Sequence, residues 1–515
     1  MRKWNEKGMN SDLIYPRRTL ISGIGVAVTM SLMAAAQVAG QYAPSPEAQE
    51  APVPLGLTGL VRAALGTNYQ LIGAREAYET AQEQVSEAWS SVMPSVDFSA
   101  SYQRNIAAAV NFLPAIIFDP SAGPDDFIPV QFGADNVWNS TIVLEQPVFR
   151  PNVIVALGAA KRFEDLQRET VRGQEQSVVT QVRTSYYNVL LAQEQARLTD
   201  NSVGRVRESL AETQALNRAG LADDYDVLRL EVELANLVPN LRRAENAVLQ
   251  AQRELAVLVN FDDHEALVVE GSLAEIDLND IEANSPQNIS VLRFNGAPID
   301  GLDGVEAALE KGLARGVEMR SDLRQLALTE ELRRTEMKAE QATYLPEISL
   351  FGNYVISAQS NGSPSFFGGS DGQRADSKFV GLRVSLPIFQ GFRRDARIDQ
   401  KRAGMRQAQA NAQQGVQVAE SQIRTVMEAV EEAYLRANGQ GLAVQQAQRG
   451  FEIASAQYAE GLSSQLELAD AEGALRQSEF NYAQAVFDYL VSRAQFDEAT
   501  GQVPLVDVRL NERGQ

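Results

Sequence analysis

The chain has 515 residues, a formal net charge of −21, no cysteine and a single histidine. Such acidity excludes nucleic acid as a partner, because phosphates demand clustered Lys and Arg; it favours solubility and basic partners. Disulfides, thiol catalysis, Cys-ligated metals and a lipidated N-terminal cysteine are excluded, and His264, in an Asp-Asp-His-Glu loop, cannot build a multi-histidine site and reads as solvated.

The N-terminus has the pattern of an export signal. Arg2, Lys3, Lys7, Arg17 and Arg18 precede an apolar, small-residue run from Thr19 to Ala36, and Val38-Ala39-Gly40 offers a cleavage site. Residues 1–40 are therefore predicted to be a signal peptide, with an uncleaved anchor helix as the alternative. Residues 41–54, with Pro44, Pro46, Pro52 and Pro54, read as a disordered leader. No later stretch approaches ~18 uninterrupted apolar residues. A membrane-spanning part would have to be made of strands.

The rest is written twice, over 55–305 and 306–500. In the first copy a helix is predicted over 60–93 and a strand over 95–104, where Val96, Phe98, Ala100 and Tyr102 alternate with Asp97, Ser99, Ser101 and Gln103. A loop (105–136) leads to a second strand over 137–146. Its Trp138 reads either as an interfacial anchor or as a packing residue. A helix over 151–219, with no proline after Pro151 at its first position, would span roughly 100 Å. Gly220-Leu221 stops it, and a helix over 222–259 follows, with Asp223 placed to cap it. Residues 260–305 carry no clear period.

The second copy repeats the plan: helix 308–344, strands 347–357 and 379–386 around a Gly-rich loop (358–377), long helix 391–460, tip 461–463, helix 463–500 with Ser463 placed to cap it, and tail 501–515. The internal ruler is nearly constant, since 73 residues separate Pro147 from Gly220 and 74 separate Pro387 from Gly461. Val182, Val189, Ala196, Val203 and Leu210 recur in sevens, and adding 241 reaches Ile423, Val430, Ala437, Val444 and Phe451. Val227, Leu234, Leu241, Val248 and Leu255 map the same way onto Leu468, Leu475, Tyr482, Tyr489 and Phe496. Sustained sevens mean coiled-coil packing, with these aromatics as core. In each copy the two shorter helices together equal the long one, which predicts that they stack end to end beside it.

The strands can be read as a soluble sheet with one wet face or as a barrel wall; the export signal and apolar-out alternation favour the wall. Four strands cannot close a barrel, and an open edge in lipid is very costly, so two or three copies must share one. The fold class is thus mixed α and β in a membrane protein: duplicated helical coiled-coil hairpins plus four transmembrane strands per chain.

The doubled helix–strand–loop–strand–helix plan resembles the TolC-type outer-membrane export channels. So do the Pro147-Val-Phe and Pro387-Ile-Phe strand exits and the Gly-Leu tips followed by Asp223-Asp224-Tyr225-Asp226-Val227-Leu228. The resemblance covers about residues 55–500. It implies a homotrimer with a twelve-stranded barrel, a twelve-helix periplasmic tunnel, and an equatorial belt from residues 260–305 and the tail. It also implies a periplasmic adaptor (membrane fusion) protein and an inner-membrane pump as partners, with outer-membrane lipid around the barrel, no cofactor and no enzymatic activity. Residues matching the family's periplasmic gate are Asp226, Tyr458, Glu467 and Asp470. The usual arginine partner of the latch tyrosine falls on Ser463, although Arg218 lies in the other tip. Ala219, Gly220, Leu221, Ala222 and Glu460, Gly461, Leu462, Ser463 resemble adaptor-docking tips. Physically, the tip acids have two readings: stabilising a helix N-terminus by ~0.3–1 kcal/mol each, or forming lumen rings that attract cations. The competing function is a soluble coiled-coil scaffold or adaptor. Neither a phosphate loop nor a catalytic triad stands out.

Overall fold

A computed structural model describes residues 55–107, 109–123, 125–261, 267–276, 316, 318–364, 366 and 374–503. The expected signal peptide and leader, His264, most of the 260–305 segment and the tail beyond 503 lie outside the described residues.

The first helical stretch is two helices, α1 (Leu57–Thr67) and α2 (Tyr69–Ser90). They part at Asn68, whose extended backbone lets its side chain accept from the N–H groups of Gln70 and Leu71. The same side chain donates to Leu258 O at 3.0 Å, and Thr67 Oγ1 donates to Val259 O at 2.7 Å. Asn68 therefore starts one helix and satisfies the last carbonyls of another. The apolar period runs through this point unbroken, so a single helix over 60–93 was the natural sequence expectation.

Strand β1 (Ser95–Arg104) is followed by a hairpin, β2 (Ala109–Pro114) and β3 (Phe127–Phe132), inside the stretch expected to be loop. Strand β4 (Asn136–Phe149) runs longer than expected and carries Pro147 at a register shift, where the ladder is already broken. With β5 (Glu347–Ser360) and β6 (Arg374–Ser385) it forms an antiparallel sheet of order β1-β4-β5-β6. The expected 358–377 loop is shortened from both sides by these two strands. Among the described residues, β1 and β6 are the sheet's edges, each paired on one side only.

Helix α3 (Pro151–Arg218) has 68 residues and α6 (Arg393–Ala459) has 67, each roughly 100 Å long. Their companions are α4 (Asp224–Leu258), α5 (Ser321–Ala342) and α7 (Gln465–Ala499). Helix α3 packs on α2, α4, α5 and α7, whereas α6 packs on α5 and α7. Asn68 joins α2 to the end of α4. At the matching place in the second copy, Arg320 Nη1 donates to Ala499 O at 3.1 Å and joins α5 to the end of α7. The wall thus has four columns: α2 on α4, then α3, then α5 on α7, then α6. Every heptad position named above is buried or half-buried. Helix α6 has fewer buried residues than α3 because it has a neighbour on one side only.

The main core lies at the waist, where these joints meet the middle of α3 and α6. Leu60, Val61, Val178, Val182, Val189, Leu255, Ile423, Val430, Val486 and Phe496 are buried there. Within it Arg183 and Asp497 form a 2.6 Å ion pair, 1% and 6% exposed. Burial pushes the Asp497 carboxyl above the usual carboxylate range, with Arg183 opposing. Tyr186 donates to Glu270 O at 2.7 Å and holds residues 267–276 against α3. Burial pushes its hydroxyl pKa up to about 12.

Candidate gate at the hairpin tips

Each long helix ends on glycine in the left-handed region, Gly220 at φ +75° and Gly461 at φ +70°. The closing bonds match. Gly220 N donates to Asn217 O and Leu221 N to Leu216 O, both at 2.9 Å; Gly461 N donates to Tyr458 O (2.9 Å) and Leu462 N to Gln457 O (2.8 Å). This termination needs positive φ, so glycine is the residue that permits it. Leu221 and Leu462 are left projecting, 76% and 78% exposed. Ala219, Gly220, Glu460 and Gly461 are also exposed, with Ala222 and Ser463 half-buried.

The returning helices start differently. Asp223 accepts from Tyr225 N at 3.3 Å to cap α4, while Asn217 Nδ2 braces the turn from Ala222 O (3.0 Å) and Asp224 Oδ1 (2.8 Å). Ser464, one residue beyond the expected Ser463, caps α7 in a reciprocal box with Glu467, because Ser463 Oγ turns back to Ala454 O. Glu467 thus has a local capping role while remaining exposed. Asp470, one turn on, is exposed and lines a cleft of about 520 Å³ between α3, α4 and α7, shared with Arg229, Leu230 and the buried Gln465, whose amide has no hydrogen-bond partner. Asp226 is half-buried in the first turn of α4.

Tyr458 is buried, and its hydroxyl shares a 2.7 Å hydrogen bond with Thr213 Oγ1, which is fully buried. This tie links the two long helices within about two turns of their tips. Arg218, the arginine noted in the sequence, instead donates to Gln214 O of its own helix. Ser463 Oγ reaches Ala454 O at 3.5 Å. The structure therefore brings Tyr458 to Thr213, and does not bring Arg218 to it.

Further from the tips lies a charge cluster that sequence reading missed. Arg205 on α3 reaches Glu472 and Glu479 on α7, both at 3.3 Å. Ser202 Oγ donates to Glu472. Arg476 meets Glu472 at 3.2 Å and Glu233 on α4 at 3.3 Å. Burial raises the Glu479 carboxyl above its ordinary range, with Arg205 and Arg197 offsetting part of that rise. The apolar support here is small: Val203, Val206, Leu230 and Leu237. Glu472 and Glu479 are seven residues apart on a helix of sevens, which was the available signal. Among the described residues no cluster of acids or histidines could hold a metal ion, and no helix is long and apolar enough to cross a membrane.

The family profile described as "outer membrane efflux protein" matches residues 60–260 and 316–502, both copies of the repeat. The chain belongs to the outer membrane efflux protein family. Outer membrane protein TolC of Escherichia coli K12 is 23% identical over 377 residues, covering 71% of this chain and 70% of that protein. Alkaline protease secretion protein AprF of Pseudomonas aeruginosa is 23% identical over 379 residues, 72% and 71% of the two chains. The fold matches the Campylobacter jejuni CmeC outer membrane channel at TM-score 0.64 and 19% identity, over 87% of this chain and 86% of that one. It matches the open state of the Neisseria gonorrhoeae MtrE outer membrane channel at 0.64 and 17%, over 86% and 88%. As an outer membrane efflux protein, the chain is a channel-type component of the outer membrane; the scaffold alternative is not favoured.

Proposed function

We propose that three copies of this chain close one barrel and one helical tunnel, forming the exit duct of a tripartite efflux or one-step secretion system. The observation that carries this is the sheet. It has two open edges, β1 and β6, and an apolar face on which Val96, Phe98, Val380, Leu382 and Val384 are 61–77% exposed. Unpaired edges are not tolerated in lipid, and four strands are too few to seal a pore. The bare flank of α6 and the far side of the α2 and α4 column call for neighbours in the same way. Three copies give twelve strands and a closed ring of columns.

In this reading the protein supplies wall, gate and docking tip, and an inner-membrane pump supplies energy through a periplasmic adaptor. The projecting Leu221 and Leu462, on turns closed by matching backbone hydrogen bonds, suit an adaptor's helical tips. Tyr458, Asp226, Glu467 and Asp470 form the gate region. A three-fold axis turns Glu467 and Asp470 into rings of three carboxylates, which draw cations and resist anions. Glu467→Ala combined with Asp470→Ala should raise single-channel conductance in planar bilayers and weaken cation selectivity. Unchanged conductance and selectivity would reject the ring.

A further inference from the structure

The apolar face of the sheet carries a distinct charge pattern toward its loop end. Strand register sorts that face into rows. Tyr102, Trp138, Ala358 and Arg374 share one; Ala100, Ser140, Ile356 and Asp376 the next; Phe98, Ile142, Tyr354 and Lys378 the third. Toward the helices follow Val96, Leu144, Gly352 and Val380, then Leu350 with Leu382 and Ile348 with Val384. Arg104 stands one step beyond Tyr102 on the same face. Among the described strand residues, the charged groups on this face are Arg104, Arg374, Asp376 and Lys378, all toward the loop end and all exposed.

Aromatic rings accompany these cations. Tyr102 lies 5.2 Å from Trp138, and Trp138 6.1 Å from Phe366. The Arg374 guanidinium sits 5.5 Å over the Phe366 ring, and the Lys378 ammonium 4.9 Å over the Tyr354 ring and 3.2 Å from Asp376. Aromatic belts mark the level where hydrocarbon meets headgroups. Long cationic side chains at that level lay their stems on apolar surface and keep their charge among the headgroups.

We propose that Arg374 and Lys378 on the β6 edge, completed by Arg104 on the β1 edge of an adjoining copy, bind the phosphate of an outer-leaflet lipid headgroup. This rests on the reading that the sheet spans the membrane and closes on further copies. Strand β1 runs toward the loops and β6 away from them, so antiparallel closure brings their loop ends together. Arg104 then stands beside Arg374; among the described strand residues Asp376 is the acid on that face, and it is paired with Lys378. Like charges placed together are offset by an anion, and a guanidinium fork matches phosphate geometry.

The test is native mass spectrometry of the full chain purified in detergent, with three probes: doubly phosphorylated lipid A, the same glycolipid without phosphates, and inorganic phosphate. Wild type should retain the phosphorylated lipid selectively. The Arg104→Gln, Arg374→Gln, Lys378→Gln triple variant should bind it roughly 100-fold more weakly, scaling from the usual attraction per cation near an anionic surface. Equal retention by an intact triple-variant oligomer would overturn the site. Equal binding of the dephosphorylated lipid would reduce it to an apolar surface, and retention of inorganic phosphate alone would make it a free-ion site; either outcome also overturns the proposal. A wild-type chain that stays monomeric and dissolves without detergent would overturn the membrane-spanning reading together with this one, and so is distinguishable from failure of the site alone.

Discussion

The waist and the tips use the same helices but hold them by different means. At the waist, four columns meet around a continuous apolar core, and the Arg183–Asp497 pair is sealed inside it. Near the tips the apolar cluster is smaller, built on Val203, Val206, Leu230 and Leu237 with Leu468 and Leu475 buried on α7, and polar ties are added to it: Arg205 with Glu472 and Glu479, and Tyr458 with Thr213. Apolar burial is non-directional and hard to undo piecemeal. Ion pairs and single hydrogen bonds contribute about 1 kcal/mol each net and can be exchanged one at a time. A duct that opens at one end requires this difference.

Breaking the sealed pair should have the largest effect. Arg183→Ala leaves Asp497 buried without its cation and should cost about 3–5 kcal/mol, read as a lower denaturant midpoint for the solubilised protein. A change in midpoint no larger than that of a surface substitution would mean the waist is not the anchor. Arg205→Ala applies the same chemistry at a wetter place, so the loss should be nearer 1–3 kcal/mol. It should appear as faster amide exchange in α7 around Glu472 and Glu479, with the waist unchanged; equal deprotection of both regions would erase the contrast. Tyr458→Phe removes one hydroxyl and strands Thr213, about 1 kcal/mol. It should increase open-state conductance with little change in midpoint, and a silent conductance trace would remove this tie from gating.

Glu164, outside both regions, gives the smallest and most specific effect. A hydrogen bond from Lys161 holds its carboxyl below the usual carboxylate range, outweighing desolvation, and Arg168 adds to this. The folded state therefore favours the carboxylate. Its contribution is complete above the ordinary range and lost as pH falls through the depressed value. The melting-temperature gap between wild type and Glu164→Gln should be widest at about pH 7 and close under acid; a gap that grows on acidification would reverse the sign assigned here.

Much of the architecture was visible in the sequence because two periods, seven and two, are hard to mistake. The heptads from Val182 to Phe496 and the alternation from Val96 to Tyr102 coincide with packed helix faces and one sheet face. What was hidden depended on single contacts. Asn68 breaks a helix that the apolar period would carry on, because its amide has a distant carbonyl to serve. The β2–β3 hairpin has apolar residues on both faces, Val110 and Phe112 beside Leu113 and Ile128, so it shows no clean alternation. The helix expected over 222–259, by contrast, does run through Pro239, with the neighbouring Leu237 buried against α3. At the tips, sequence offered Tyr458 and the acids as gate candidates. It could not supply Thr213, since a hydroxyl facing inward from a long helix has no periodic signature.

The joints at Asn68 and Arg320 also divide the wall mechanically. Two columns are single rods more than sixty residues long, and two are rods cut at mid-height and pinned by a few hydrogen bonds to terminal carbonyls. Each seam is wrapped in the apolar core, with Leu255 and Val259 buried at one and Phe496 and Ala499 at the other. A swivel of α4 or α7 beneath its upper partner would therefore have to work against that core and against the unbroken α3 and α6 beside it.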